Sequence, residues 1–146
     1  MIDSFRNEYF FLSNYSCSPF YIDNVLFPTM EHYFQASKAS NQKDYLFIAN
    51  APTPGDAKRL GRRIQLRHDW EKVKDNVMLI GLRKKFANPE LRDLLLATGD
   101  EELVEGNYWH DNEWGNCTCP RCKNIPGKNK LGKLLMQVRE EIKNNA

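Results

Sequence analysis

Residues 28–38 read Pro-Thr-Met-Glu-His-Tyr-Phe-Gln-Ala-Ser-Lys, and this stretch decides the class of the fold. Thr29 has the hydroxyl of an N-cap, and the following ten residues, MEHYFQASKA, hold no Gly, Pro or Val to interrupt a helix. A helix is therefore expected from Met30. On it Glu31, Gln35 and Lys38 fall at i, i+4 and i+7, within about 60° of one another at about 100° per residue. A carboxylate, an amide and an amine would share one face. A plain structural account also fits, because Glu in a first turn and Lys in a last turn complement the helix dipole.

Working outward, FYIDNVLF (20–27) reads as two short strands around Asp23-Asn24, a turn pair that tolerates positive φ. Thr53-Pro54 opens a second helix that loosens at Gly61. Asp69 caps a third from Trp70, with Val73, Val77 and Ile80 on one stripe and Met78, Leu82 and Phe86 beside it. Pro89 starts a fourth, with Leu91, Leu94 and Leu95 facing inward and Gly99 at the stop. After an extended ELVEG and an irregular stretch over 107–128, a last helix places Leu131, Leu134, Leu135, Val138 and Ile142 at helical spacing. The expected fold is α+β, mainly α-helical: one compact domain over 1–146 with a small N-terminal hairpin. Loops as long as 107–128 are usually functional or disordered.

Composition narrows the function classes. The 146 residues carry 21 Lys and Arg against 19 Asp and Glu, a net charge of +2, which argues against a polycation and against an acidic solvating tail. Hydrophobic residues at 41% suffice for one core. No run approaches the ~18 apolar residues of a spanning helix, and the N-terminus lacks a secretory pattern. The expectation is a cytoplasmic chain with no membrane partner.

Charge is nevertheless clustered. Residues 58–67 contain Lys58, Arg59, Arg62, Arg63 and Arg67 with no acid, a set suited to phosphate through charge-assisted bonds, or simply a solvated helix face. Aromatic residues stand at Tyr15, Trp70, Trp109 and Trp114, three of them Trp at element starts or in a loop. In NYWHDNEWGN, Asp111 and Glu113 stand just before Trp114-Gly115. A carboxylate beside an indole can stabilise positive charge on a sugar carbon while the ring stacks a base; a surface turn would show the same residues. Cys117, Cys119 and Cys122 crowd a CTCPRC run suited to a structural zinc, with Cys17 or His110 as the available fourth ligand. A reduced, Cys-rich surface loop is the alternative, since only one ligand cluster is visible.

FLSNY, PFYIDNVLFPTMEHYFQASK, AKRLGR, RHDWEKVKDNVM, LRDLLLATGDEELVE, WG and GKNKLGKLLMQVRE follow one another in an order and spacing that resemble the NADAR family of YbiA-like N-glycosidases, from about Phe10 to Ile142. The resemblance implies a compact, mainly helical fold and hydrolysis of the bond between a ribose and a base-like amine. Its two substrate groups are phosphoribosylamino-pyrimidine intermediates of riboflavin synthesis and ADP-ribose attached to guanine in nucleic acid. It places Glu31 and Lys38 in the P-T-x-E-H-Y-F-Q-A-x-K motif and Asp111 three residues before W-G. Arg59 and Arg62 fall in its R-x-G-R segment, Ser13 and Asn14 in S-N-[FY], Asn129 in G-K-N-x-L-G, and Trp70 before E-x-V-K. CTCPRCKNIP departs from shorter members, which have a few glycines and polar residues there.

The expected mechanism needs an anion near the sugar and a proton source near the base. Glu31 and Asp111 divide these roles in either order, while Lys38 offers a covalent route through a Schiff base. Trp70 and Trp114 would stack the base and Arg59 or Arg62 would hold phosphate, with Ser13, Asn14, Gln35 and Asn129 as further substrate contacts. No cofactor is required. The competing class is a non-catalytic module in which a zinc knuckle grips nucleic acid or ADP-ribose.

Overall fold

The computed structural model describes residues 1–145, and it is α+β with helices dominant. Chain contacts group into two compact units, Asn14–Ala87 and Met1–Ser13 with the residues from Asn88 onward.

In the 14–87 unit, β1 (Phe20–Ile22) and β2 (Val25–Phe27) form the expected antiparallel hairpin. Asp23 and Asn24 hold φ of 50° and 67°, the left-handed pair whose twist matches that of the strands it joins. Helix α1 (Met30–Ala36) begins as read, with the Thr29 hydroxyl accepting from the His32 amide. Every residue of α1 is buried, because α2 (Gln42–Ala49), α3 (Pro54–Gly61) and α4 (Trp70–Lys85) pack around it. Its polar side chains therefore need internal partners. His32 finds Thr29 Oγ1 at 2.8 Å and the Ala51 carbonyl at 2.9 Å.

Three local readings change here. Helix α2 was not anticipated: its cap was visible, with Asn41 Oδ1 accepting from the Asp44 amide, but Leu46 and Phe47 are exposed and give no one-sided stripe. Asp69 precedes α4 without capping it; its carboxylate is taken by Arg67 at 2.6 and 3.0 Å. Ile80 is 38% exposed, since it lies about 200° from Met78 and Leu82, which carry the packing. Gly81 sits where any Cβ would collide with Tyr33 and Met30, so α4 approaches α1 closely at that point.

In the other unit, α5 (Pro89–Ala97) is capped by Asn88, whose Oδ1 accepts from the Glu90 and Leu91 amides. Leu95 is buried but Leu94 is 46% exposed, one residue and about 100° off the packed face. Ile2 bridges Leu103 in parallel. Part of the irregular stretch is ordered: β3 (Gly106–Asn107) pairs in parallel with β4 (Asn116–Cys117). Helix α6 (Lys130–Asn144) buries Leu131, Leu135 and Val138. Among the described residues no helix is long and apolar enough to cross a membrane.

Candidate functional site

Glu31 stands in the first turn of α1 and is only 7% exposed. Its carboxylate accepts from Gln35 Nε2 at 2.6 Å, one helical turn on, as the i, i+4 spacing requires. That bond sets the orientation of the Gln35 amide, since an NH₂ facing a carboxylate is favourable and a carbonyl is not. Gln35 Oε1 then faces α3 at Gly61, where any Cβ would overlap it. The glycine of the AKRLGR segment thus makes room for the side chain that holds Glu31. The Glu31 amide donates to the Asn14 carbonyl at 3.0 Å, which brings the S-N segment to the start of α1. Asn14 Oδ1 and Gln35 Oε1 are both buried acceptors without a protein donor among the described residues. A buried acceptor left unpaired costs about 1–3 kcal/mol, so both are suited to accept from a ligand.

Lys38 does not lie on the helix. Helix α1 ends at Ala36, Ser37 Oγ donates to the Tyr33 carbonyl at 2.7 Å, and the Lys38 amide reaches Gln35 in a tighter i to i+3 turn. Lys38 still stays in the field of Glu31. Burial pushes its pKa below the usual lysine value; Glu31 opposes this, while Lys58, Arg62 and Lys74 add to it. Its Nζ lies 5.7 Å from the Phe34 ring centroid. Tyr15 belongs to the same cluster: burial raises its pKa, Glu31 raises it further, and Arg62 and Arg59 lower it. Sequence reading noted Tyr15 only as an aromatic residue, although it directly follows the S-N pair.

The cationic run is shorter in effect than in sequence. Asp56 pairs with Arg59 and Asp69 with Arg67, two acids just outside the 58–67 window. Lys58, Arg62 and Arg63 remain as the cations these acids do not neutralise. Trp70 is 6% exposed and meets Phe34 edge-on with ring centroids 5.1 Å apart, so it supports the ring beside which Lys38 sits.

The remaining motif residues lie in the other unit, apart from Asn14. The Ser13 amide closes the 3-10 turn of residues 7–12 onto the Phe10 carbonyl. Asp111 Oδ1 accepts from the Glu113 and Trp114 amides at 3.1 and 2.9 Å, so one carboxylate oxygen is committed to the turn before W-G. Lys130 Nζ lies 5.5 Å from the Trp114 ring centroid. Asn129 is buried and spans backbone, its Oδ1 accepting from Glu105 and its Nδ2 donating to Leu103. Gly115 and Gly132 sit where a Cβ would collide with Glu105 and with the Leu103 carbonyl. Close packing thus accounts for the W-G and G-K-N-x-L-G signatures.

Cys117, Cys119 and Cys122 converge with His110, and the four donor atoms lie within 4.8 Å of one another. This cluster could hold a metal ion. The fourth member is His110, whereas Cys17 is exposed and belongs to the 14–87 unit.

The NADAR domain model matches residues 3–143. An N-glycosidase of Nostoc punctiforme is 44% identical over 138 residues, covering 90% of this chain and 85% of that protein. N-glycosidase YbiA of Escherichia coli is 40% identical over 146 residues, covering 95% and 85%. A riboflavin biosynthesis protein of Vibrio vulnificus is 35% identical over 148 residues, 97% of this chain but 37% of that protein. The NMR structure of E. coli YbiA superposes with a TM-score of 0.83 at 40% identity, covering 99% of this chain and 88% of that one. Shared sequence and shared fold over nearly the whole length place this chain in the NADAR domain family.

Proposed function

We propose that this enzyme hydrolyses the bond between a ribose and a base in a phosphorylated riboside, with its chemistry centred on the Glu31 and Lys38 cluster. The protein is an N-glycosidase by kinship with enzymes of that name that are 40–44% identical over most of both chains. What carries the assignment of the site is Glu31: a buried carboxylate clasped by Gln35 at 2.6 Å, in the field of a lysine whose charge burial disfavours.

Breaking the C–N bond leaves positive charge at the anomeric carbon, and a preorganised carboxylate stabilises it better than water does. Glu31 serves that role, or orients the attacking water. In the covalent route, the neutral Lys38 amine forms a bond to the anomeric carbon as the bond to the base breaks, and its proton passes to the leaving nitrogen. The ring oxygen then departs, taking a proton from water to become a hydroxyl, and leaves an iminium on Lys38, whose hydrolysis releases the opened sugar and returns the amine and that proton. Asn14 Oδ1 and Gln35 Oε1 supply acceptors for sugar hydroxyls, and Arg62 binds phosphate, since Arg59 is engaged by Asp56. Trp70 acts through Phe34. The assignment of Asp111, Trp114, Ser13 and Asn129 to substrate rests on the family motifs alone. The reaction asks for no cofactor, and a zinc at the cysteines would be structural.

The substrate is either ADP-ribose on guanine in nucleic acid or a phosphoribosylamino-pyrimidine of riboflavin synthesis; the names of relatives such as the Vibrio vulnificus protein support the second group. A non-catalytic nucleic-acid module is not favoured, because relatives of similar length are named as enzymes. Incubation with each substrate class and assay of free base tests the reading. Release from one of them, lost in Glu31→Gln, is expected; no release from either, or full activity in that variant, overturns it. Borohydride trapping decides the route, since a reduced adduct on Lys38 is required by the covalent one.

A further inference from the structure

We infer that His110, Cys117, Cys119 and Cys122 hold one Zn²⁺ in a closed three-sulfur, one-nitrogen site, and that this ion sets the conformation of the loop carrying Asp111 and Trp114. The distances carry the first part. His110 Nδ1 lies 3.9, 3.3 and 3.5 Å from the sulfurs of Cys117, Cys119 and Cys122. A tetrahedral zinc with Zn–S of about 2.3 Å and Zn–N of about 2.0–2.1 Å places nitrogen and sulfur about 3.5–3.6 Å apart. The three nitrogen–sulfur edges of the cluster therefore already lie close to those of a coordination tetrahedron. Three thiolates and an imidazole select zinc over the oxygen-seeking divalent ions, and four protein donors leave no open position for catalysis.

The surroundings are those of a metal ligand set. The His110 amide donates to Cys117 Sγ at 3.3 Å, the kind of bond that stabilises a thiolate ligand. His110 adopts φ of 72°, a conformation few non-glycine residues take, and its Nδ1 faces the three sulfurs. Three thiolates and Zn²⁺ sum to a net charge of −1, and exposed Arg121 and Lys123 flank Cys122 in sequence.

The second part follows from connectivity. Asp111 directly follows His110, and its amide donates to Asn107 Oδ1 while its carbonyl accepts from Asn107 Nδ2. Asn112 Oδ1 accepts from the Cys117 amide at 2.8 Å, and the Thr118 amide donates to the Asn107 carbonyl at 2.7 Å. Two of the four ligands therefore bound the segment that holds Asp111 and Trp114, so moving either ligand moves that segment.

Purified full-length protein should carry one zinc per chain by elemental analysis, and X-ray absorption should fit three sulfurs and one nitrogen. Co²⁺ replacement gives the tetrahedral thiolate spectrum. His110→Ala should lower metal affinity at least about tenfold, whereas Cys17→Ser should leave it unchanged. Chelation should speed hydrogen exchange across 107–125 and leave 29–38 protected. A metal-free chain that takes up neither Zn²⁺ nor Co²⁺, or a four-sulfur or oxygen-rich shell, overturns the site. Unchanged exchange on chelation overturns its effect on the loop. The wild-type spectra keep the test decisive even if a ligand variant fails to fold.

Discussion

Glu31 is held by a helix buried on every side, while Asp111 is held by a loop whose order comes from side chains bonding to backbone. In the first region the helix supplies the backbone hydrogen bonds, and the local question is how a carboxylate survives burial. Gln35, one turn away, answers it. In the second region most bonds are made by Asn107, Asp111, Asn112 and Asn129, and the thiol cluster closes the segment. A buried helix places a functional group by packing; a polar loop places one by a set of separate bonds, each removable.

Variants can break that contrast or sharpen it. The largest effect is expected from Glu31→Gln, a drop of about 10²–10³ in kcat/KM with melting temperature nearly unchanged, read by base release and circular dichroism. An equal loss of stability would mean that the carboxylate holds the helix rather than the substrate. Gly61→Ala should cost about 1–3 kcal/mol in denaturant unfolding and also lower activity, because the new Cβ displaces Gln35. Unchanged stability would show that α3 yields and that Gln35 is not pinned.

In the loop, Asp111→Ala should cost about 1 kcal/mol through the lost bonds to the Glu113 and Trp114 amides, and Asp111→Asn, which keeps an acceptor, less. If both variants keep their stability but lose turnover equally, the carboxylate charge acts on substrate. Lys85 gives a control within the helical unit. It is 1% exposed, donates to Ser16 Oγ at 3.2 Å, and burial pushes its pKa down to about 7. Between pH 7 and 10.5 the unfolded chain keeps a proton that the folded chain has released, so stability rises with pH across that window. Lys85→Met should therefore raise the melting temperature more at pH 6 than at pH 9, with Ser16 still paired to Ser18.

Helix starts were legible because caps act within three residues. Thr29 and Thr53 each accept the amide bond expected of such positions, and Asn88 caps the helix whose start Pro89 alone marks in the sequence. Asp69 failed because Arg67, two residues before it, offers a charged partner stronger than a backbone amide. The cationic run misled in the same way, since Asp56 and Asp69 stand outside the counted window yet within reach of a side chain.

The residues by themselves determined the hairpin turn at Asp23-Asn24, the helix from Met30, the placing of Glu31 against Gln35, and the crowding of three thiols. All of these are settled by backbone preference or by partners within a few residues. Only tertiary structure decided that Gly61 faces Gln35, that Asn14 meets the start of α1, that Lys38 stays in the field of Glu31 from beyond the helix end, and that His110 rather than Cys17 joins the sulfurs. Such choices depend on burial and on chain paths between separate elements, which local spacing does not encode.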